Sequence, residues 1–158
     1  MWTAETVFVC ALSLLGRSPQ SFPSVEFVAK APPGVSALAA AYTRHEDRHI
    51  VVITSTPAFA TVQREKDRCR DLDALREIAG LLAHEEWHVR HGADEEGAYD
   101  AQLTALLFTG AALNGPLYNK VVKAKSVVMA AQRREPQAAT MLARRAPIDT
   151  SPRGFDSR

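Results

Sequence analysis

The sequence predicts an α+β fold that is mainly helical, with a small sheet beside the longest helix and a disordered C-terminal tail. The longest helix is predicted over residues 71–91, where apolar residues recur at steps of three and four, the period of one buried helical stripe. A strand is predicted at residues 50–54, because all five are β-branched. Towards the C-terminus the composition turns to Pro, Ala, Arg and Ser without a sustained period. We therefore expect one domain over residues 1–133 and a tail over 134–158.

Length and charge exclude some classes of protein. The 158 residues are enough for one domain with a sizeable core. The 19 basic and 18 acidic side chains are mixed along the chain and leave a formal net charge of +1, so neither nucleic acid nor an anionic membrane is expected as the main partner. The composition does not fix an oligomeric state.

The two cysteines and the N-terminus bear on the compartment. Cys10 and Cys69 are predicted to be thiols in a reducing compartment, with a single disulfide as the alternative. The apolar run at residues 3–15 has no preceding Lys or Arg and no small-residue cleavage site after it, so it is interpreted as a buried helix capped by Thr3 and ended by Gly16. These features together predict a cytoplasmic protein.

The segments between the first and the longest helix are short. A strand is predicted at residues 25–29, and the Pro and Gly residues after it end it. Residues 35–42 are Ala-rich and fit either a helix or a strand. Residues 56–61, which contain Pro57, are predicted to be a loop.

Two helices are predicted after the longest one. The first runs from about Glu95 to residue 113, with Asp94 as its N-cap. Its successor begins at Pro116, a favoured residue in the first turn, and continues to residue 133. On this last helix we expect Val121, Val122, Val127 and their neighbours to form an apolar side, and Lys120, Lys123 and Lys125 a solvated one.

The chemically informative stretch lies near the end of the longest helix and reads His84, Glu85, Glu86, Trp87, His88. Two histidines four residues apart lie on one face of a helix, about 6 Å apart along its axis, so both imidazoles can bind one ion. Zinc accepts imidazole nitrogen, and a catalytic zinc site has three protein ligands and one position for water. The first glutamate of the stretch lies beside such an ion, within reach of that water. The pattern indicates a zinc ion with a general base.

The third ligand is expected on the following helix. His91 lies seven residues, about 10.5 Å along the axis, from the first histidine and is too far to share the ion. On the next helix Glu95, Tyr99 and Gln102 share a stripe that continues into apolar residues, so its polar beginning also faces inward. We predict Glu95 as the third ligand. The alternatives, in order, are Asp94, Glu96 and Asp100; Tyr99 and Gln102 are expected to orient ligands or to stabilise an oxyanion.

At these residues the sequence resembles a known family. A His-Glu-x-x-His stretch followed by an acidic helix is similar to the zincin metallopeptidases and, among them, to the gluzincins, in which a Glu on the helix after the motif helix is the third ligand. The similarity covers residues 71–113. It implies a compact zincin-like domain in which His84 and His88 bind zinc (Zn²⁺), Glu85 is the general base and Glu95 is the ligand Glu. The strand at residues 50–54 would then lie along the active-site cleft and pair with an extended peptide.

Two features depart from the family patterns. The spacing from His88 to Glu95 is short compared with the better-known gluzincins. The stretch also differs from the metzincins: Asp94 stands at their ligand position, but His91 stands where they have Gly. The subfamily is left open.

The function expected from the sequence is zinc-dependent hydrolysis of a peptide or protein substrate. Glu85 would take a proton from water, and Tyr99, Tyr42 or His91 would donate to the oxyanion. One alternative is a non-catalytic zinc-binding regulatory or interaction module, which would not need Glu85 as a base. The other is a toxin-like effector protease that acts on one host protein.

Overall fold

The computed structural model of the chain describes the backbone of residues 1–144 and the side chains of residues 1–134. Within this part the chain is a mixed α+β domain with five α-helices and one three-stranded sheet. In chain order the elements are α1 (Ala4–Leu14), β1 (Val25–Val28), β2 (Ala41–Arg44), β3 (His49–Ile53), α2 (Pro57–Arg64), α3 (Leu72–His91), α4 (Glu95–Phe108) and α5 (Pro116–Arg144). The predicted fold class is confirmed. Of the tail predicted over residues 134–158, the part up to Arg144 belongs to α5, and residues 145–158 lie outside the described residues.

The sheet has the order β1-β3-β2, with β1 parallel and β2 antiparallel to β3. The strand predicted at residues 50–54 is β3, and it is buried from Ile50 to Ile53. Because β3 is paired on both sides, it has no free edge, and the expectation that it pairs with a peptide is wrong. The strand that contacts α3 most and has a free edge among the described residues is β2, which forms within the ambiguous Ala-rich region and the turn after it.

Helix α1 confirms the predicted N-terminal helix. The Thr3 side chain accepts a hydrogen bond from the Thr6 backbone N–H, as an N-cap does. Val7 and Leu12 are fully buried and join the core formed by β3, α2 and α3. Gly16 ends this segment with a φ of +64°, a conformation that glycine adopts without steric cost.

Helix α3 is the central element, in contact with α1, α2, α4 and the sheet. Asp71 caps its N-terminus by accepting from the Ala74 N–H, and Gly92 ends it with a φ of +77°. Helix α4 packs against α3 at Gly80, where an added Cβ would lie 3.1 Å from Leu106 Cδ2. The missing side chain thus brings α4 close enough for its first residues to reach the end of α3.

Several local predictions are wrong. Residues predicted as a loop form α2, with Pro57 in its first turn, a position where proline costs no hydrogen bond. Helix α4 ends at Phe108 and not near residue 113, so Leu113 leaves the predicted stripe and is exposed. On α5, Val121 is buried, but Val127 is 63% exposed, because the helix packs through a narrower stripe than its sequence suggests.

The cysteine prediction is also wrong. Cys10 on α1 and Cys69 in the loop before α3 form a disulfide, with their Cα atoms 5.5 Å apart. This distance is the one that disulfides usually span. The bond joins the N-terminal helix to the start of α3 across 59 residues of sequence. None of the described helices is both long and apolar enough to cross a bilayer.

Candidate metal centre

Three predicted ligands converge at the junction of α3 and α4. His84 Nε2 lies 3.2 Å from His88 Nε2, and the Glu95 carboxylate oxygens lie 3.6 Å from His84 Nε2 and 3.5 Å from His88 Nε2. The histidines are buried one helical turn apart on α3. Glu95 is the first residue of α4, and the short 92–94 connection brings it back over the end of α3. This group can hold a metal ion.

The spacing of the three donor groups matches one small ion. Two ligands about 2.1 Å from a tetrahedral ion are about 3.4 Å apart, close to all three observed distances. Within the described residues no fourth His, Cys, Asp or Glu joins the group. Three protein ligands would leave one coordination position of a tetrahedral ion open to water or another ligand.

The remaining ring nitrogens fix how the two histidines point. His84 Nδ1 lies 3.2 Å from Gln102 Oε1, and His88 Nδ1 lies 2.8 Å from the Gly92 carbonyl oxygen. Both partners are acceptors, so both Nδ1 atoms donate and both Nε2 lone pairs face the centre. Burial, and next the electrostatic effect of the neighbouring His88, lower the pKa of His84 to about 4, so His84 is neutral at pH 7. Two facing lone pairs beside a carboxylate can bind a cation between them.

Glu85 is buried beside His84, His88 and Glu95, and all four line one cavity of about 310 Å³, called the metal cavity below. The Thr43 hydroxyl on β2 lies 2.8 Å from Glu85 Oε2, to which it donates, and 3.1 Å from the Glu85 backbone oxygen. Burial raises the pKa of Glu85, and the hydrogen bond from Thr43 opposes this effect. A carboxylate with a raised pKa that is held in one orientation suits proton transfer.

Tyr99 lies against the outer side of the metal group. Its ring meets the His84 ring edge to face, with centroids 4.7 Å apart. Burial, and then the charges of Glu95 and Glu85, raise the pKa of its phenol. The side chains that line the cavity do not include Tyr99, so the described geometry favours its packing role against His84. A role for Tyr99 as an oxyanion donor stays a prediction.

The cavity contains a histidine that the sequence did not single out. His45, just after β2, lines the cavity, and its ring centroid is 6.4 Å from that of His88. The sequence predicted neither His45 nor Thr43, because both residues belong to a strand and turn that carry no metal-binding pattern of their own. Tyr42, an oxyanion candidate from the sequence, also lines the cavity.

The rival ligands have other roles. Asp94 caps α4 by accepting from the Gly97 N–H and accepts from Trp87 Nε1, and the first of these bonds contributes most to its lowered pKa. Glu96 is 71% exposed at its side chain, and Asp100 forms an ion pair with Lys125 on α5. His91 stacks on Trp87, outside the metal group, as its position in the sequence predicts.

The second glutamate of the motif is structural. Glu86 binds Arg17 through both carboxylate oxygens, at 3.1 and 2.8 Å, and binds Arg90 at 2.6 Å. Although burial opposes it, these guanidinium groups hold the pKa of Glu86 below its ordinary value. The bond to Arg17 ties the loop after α1 to α3.

Comparisons of the chain with protein-family models, with curated proteins and with solved structures found no match.

Proposed function

We propose that the protein is a zinc-dependent metallopeptidase that hydrolyses peptide bonds, with Glu85 as general base. The observation that carries the proposal is the convergence of His84, His88 and Glu95 on one point, with a buried glutamate on the same cavity. Two imidazole nitrogens and one carboxylate are a ligand set found in catalytic zinc sites. The resemblance to the gluzincins pairs this ligand set with peptide hydrolysis.

Bound zinc would supply Lewis-acid chemistry, lowering the pKa of a water ligand to about 7 and polarising the scissile carbonyl. The chain itself supplies the proton transfers. Thr43 holds Oε2 of Glu85, while Oε1 makes no hydrogen bond with the described residues and is available to take a proton from water. The same carboxyl then delivers the proton to the leaving amine. Gln102 and the Gly92 carbonyl keep both histidines oriented.

A peptide substrate fits the edge of the sheet. Strand β2 lines the metal cavity with Ala41, Tyr42 and Thr43, and its outer edge is unpaired among the described residues. An extended peptide can add to such an edge through backbone hydrogen bonds. It would then cross the cavity with its carbonyl groups near the metal. In this arrangement His45 and Tyr42 are the cavity's candidates for the oxyanion donor, beside the sequence-predicted Tyr99.

The proposal is tested by metal analysis together with peptide cleavage. We expect about one zinc per chain in the wild type, little in His84→Ala, and full occupancy in His91→Ala, a matched control on the same helix. Glu85→Gln should keep zinc and lose cleavage of a peptide library by several orders of magnitude, because it removes the base. Well-folded protein without metal would refute the site. Zinc with no cleavage of any peptide would refute the peptidase and favour a non-catalytic zinc module.

The compartment bears on how the protein is prepared. The Cys10–Cys69 disulfide favours an oxidising compartment, since such bonds rarely persist in the cytosol. A cytoplasmic location stays a prediction and would require both cysteines to be thiols in the cell. Nucleic acid and membrane stay unexpected as main partners on the balance of charge alone.

A further inference from the structure

We propose that a basic cavity next to the metal centre binds a carboxylate of the peptide substrate. The basic cavity, of about 680 Å³, lies between the loop at residues 20–23, Arg48 of the β2–β3 turn, and Val89, Arg90 and His91 at the end of α3. Among the residues that the structure describes, no acidic side chain lines it. This inference rests on the proposed function, since it assigns the substrate preference of the same site.

The ion pairs around the basic cavity leave positive charge unbalanced. Glu86 is the partner of both Arg17 and Arg90, so one carboxylate serves two guanidinium groups. Arg48 is exposed and forms no ion pair with the described residues. The nearby Asp47 is already held by Arg44 through contacts of 2.8–3.1 Å. An incoming anion therefore meets positive charge without having to displace a partner of Arg48.

The backbone of the turn presents Arg48 to this cavity. Its φ of +54° lies in the left-handed region, which is uncommon for a residue with a side chain. Asn, Asp or Gly would be the usual choice at such a position. The guanidinium group that this turn carries into the cavity lining is the side chain best matched to a carboxylate.

The basic cavity and the metal cavity share two structural elements. His45 lines the metal cavity, and Arg48 lines the basic cavity three residues later in the same turn. On α3, His88 binds the metal and His91 lines the basic cavity, about 4.5 Å further along the axis. An extended peptide advances about 3.3 Å per residue. A carboxylate about two residues from the scissile bond therefore falls within reach of Arg48.

Two sources supply this carboxylate: an Asp or Glu side chain of the substrate, or its free C-terminus. The first predicts cleavage near acidic residues, and the second predicts cleavage close to the end of the chain. The chemistry at Arg48 is the same for both, so the probes must separate them.

The test measures binding to zinc-loaded Glu85→Gln protein, which does not depend on turnover. The probes are short fluorescent peptides of Ala and Leu in four forms. Three are amidated at the C-terminus: one without a carboxylate, one with a single Glu at each position in turn, and one with Gln at the same positions. The fourth has only Ala and Leu side chains and a free C-terminal carboxylate. Fluorescence anisotropy gives each Kd. Arg48→Gln in the same background removes the charge. Arg68→Gln is the matched control, because Arg68 is also an exposed loop arginine but precedes α3, about 30 Å from His91.

We expect one carboxylate to tighten binding by about threefold to tenfold. Added salt should reduce this preference, Arg48→Gln should abolish it, and Arg68→Gln should retain it. A preference for Glu at one position identifies a side-chain carboxylate, and a preference for the free C-terminus identifies a terminal one. Equal binding of charged and neutral peptides, or a preference that survives Arg48→Gln, would overturn the inference and leave the peptidase proposal intact. If zinc-loaded protein binds none of the peptides, both proposals fail.

Discussion

The hydrogen bond between Thr43 and Glu85 gives the sharpest mutational test of the site. Thr43→Val replaces the hydroxyl by a methyl of similar shape and keeps a β-branched residue in β2. A hydrogen bond to a charged group contributes about 1.5–3 kcal/mol, and its loss leaves a buried carboxylate with one partner fewer. We expect the free energy of unfolding to fall by about 2 kcal/mol. Chemical denaturation of zinc-free protein at neutral pH measures this loss.

The same substitution should impair catalysis. Without the hydroxyl, the Glu85 carboxylate can rotate away from the cavity. Its pKa also rises further, so a smaller fraction of the enzyme holds Glu85 ionised and able to accept a proton at neutral pH. We expect kcat to fall about tenfold or more at unchanged zinc content. Thr43→Ser should restore much of both losses. Thr54→Val is the matched control, because its hydroxyl donates to the Val28 carbonyl at 3.3 Å on the same sheet, away from the metal. A Thr43→Val protein as stable and active as the wild type would show that the contact has no role.

Three further results are expected. Gly97→Ala should lower the free energy of unfolding by about 1–3 kcal/mol, measured by denaturation, because the added Cβ would lie 2.5 Å from the Trp87 ring. This loss should outweigh the better helix propensity of Ala. An unchanged or higher free energy of unfolding would contradict the close packing of α4 on Trp87. Gln102→Leu should weaken zinc binding about tenfold to hundredfold in a chelator competition, whereas Gln102→Glu should retain most of the affinity because it keeps an acceptor for His84 Nδ1. Equal zinc affinities of the wild type and Gln102→Leu would show that this bond does not orient the ligand. Zinc-free Glu85→Gln protein should lose about 2 kcal/mol of its free energy of unfolding between pH 7 and pH 5, because the pKa of His84 is about 4 when folded and 6.5 when unfolded, so only the unfolded chain takes up a proton. The Glu85→Gln background removes a glutamate whose raised pKa would act in the opposite sense. A stability that does not change with pH would contradict the burial of a neutral His84.

The sequence predicted the helical part of the site because its signals are local. The two histidines four residues apart and the inward polar stripe of α4 each depend on residues within a turn or two of one another. From these signals the sequence predicted that Glu95 and Gln102 lie close to the histidines, and both contact His84 in the structure.

What the sequence did not reveal depends on contacts between distant segments. Thr43 meets Glu85 across 42 residues, and Arg17 meets Glu86 across 69. No periodicity reports such a pair. The disulfide was missed for the same reason, because Cys10 and Cys69 each occur in an unremarkable helical or charged context. Helix α2 was missed because Pro57 suggests a loop as readily as a first helical turn.

The positions of the proposed ligands along the chain predict an order of folding. All three belong to residues 84–95, within one helical hairpin, and closing so short a loop costs little entropy. If zinc binds as proposed, the hairpin can capture it before the sheet has formed, whereas Glu85 acquires its partner only when β2 docks. Refolding protein should pass through a species that holds metal without activity. Recovery of zinc binding should then precede recovery of turnover, by an interval that reports the formation of the sheet.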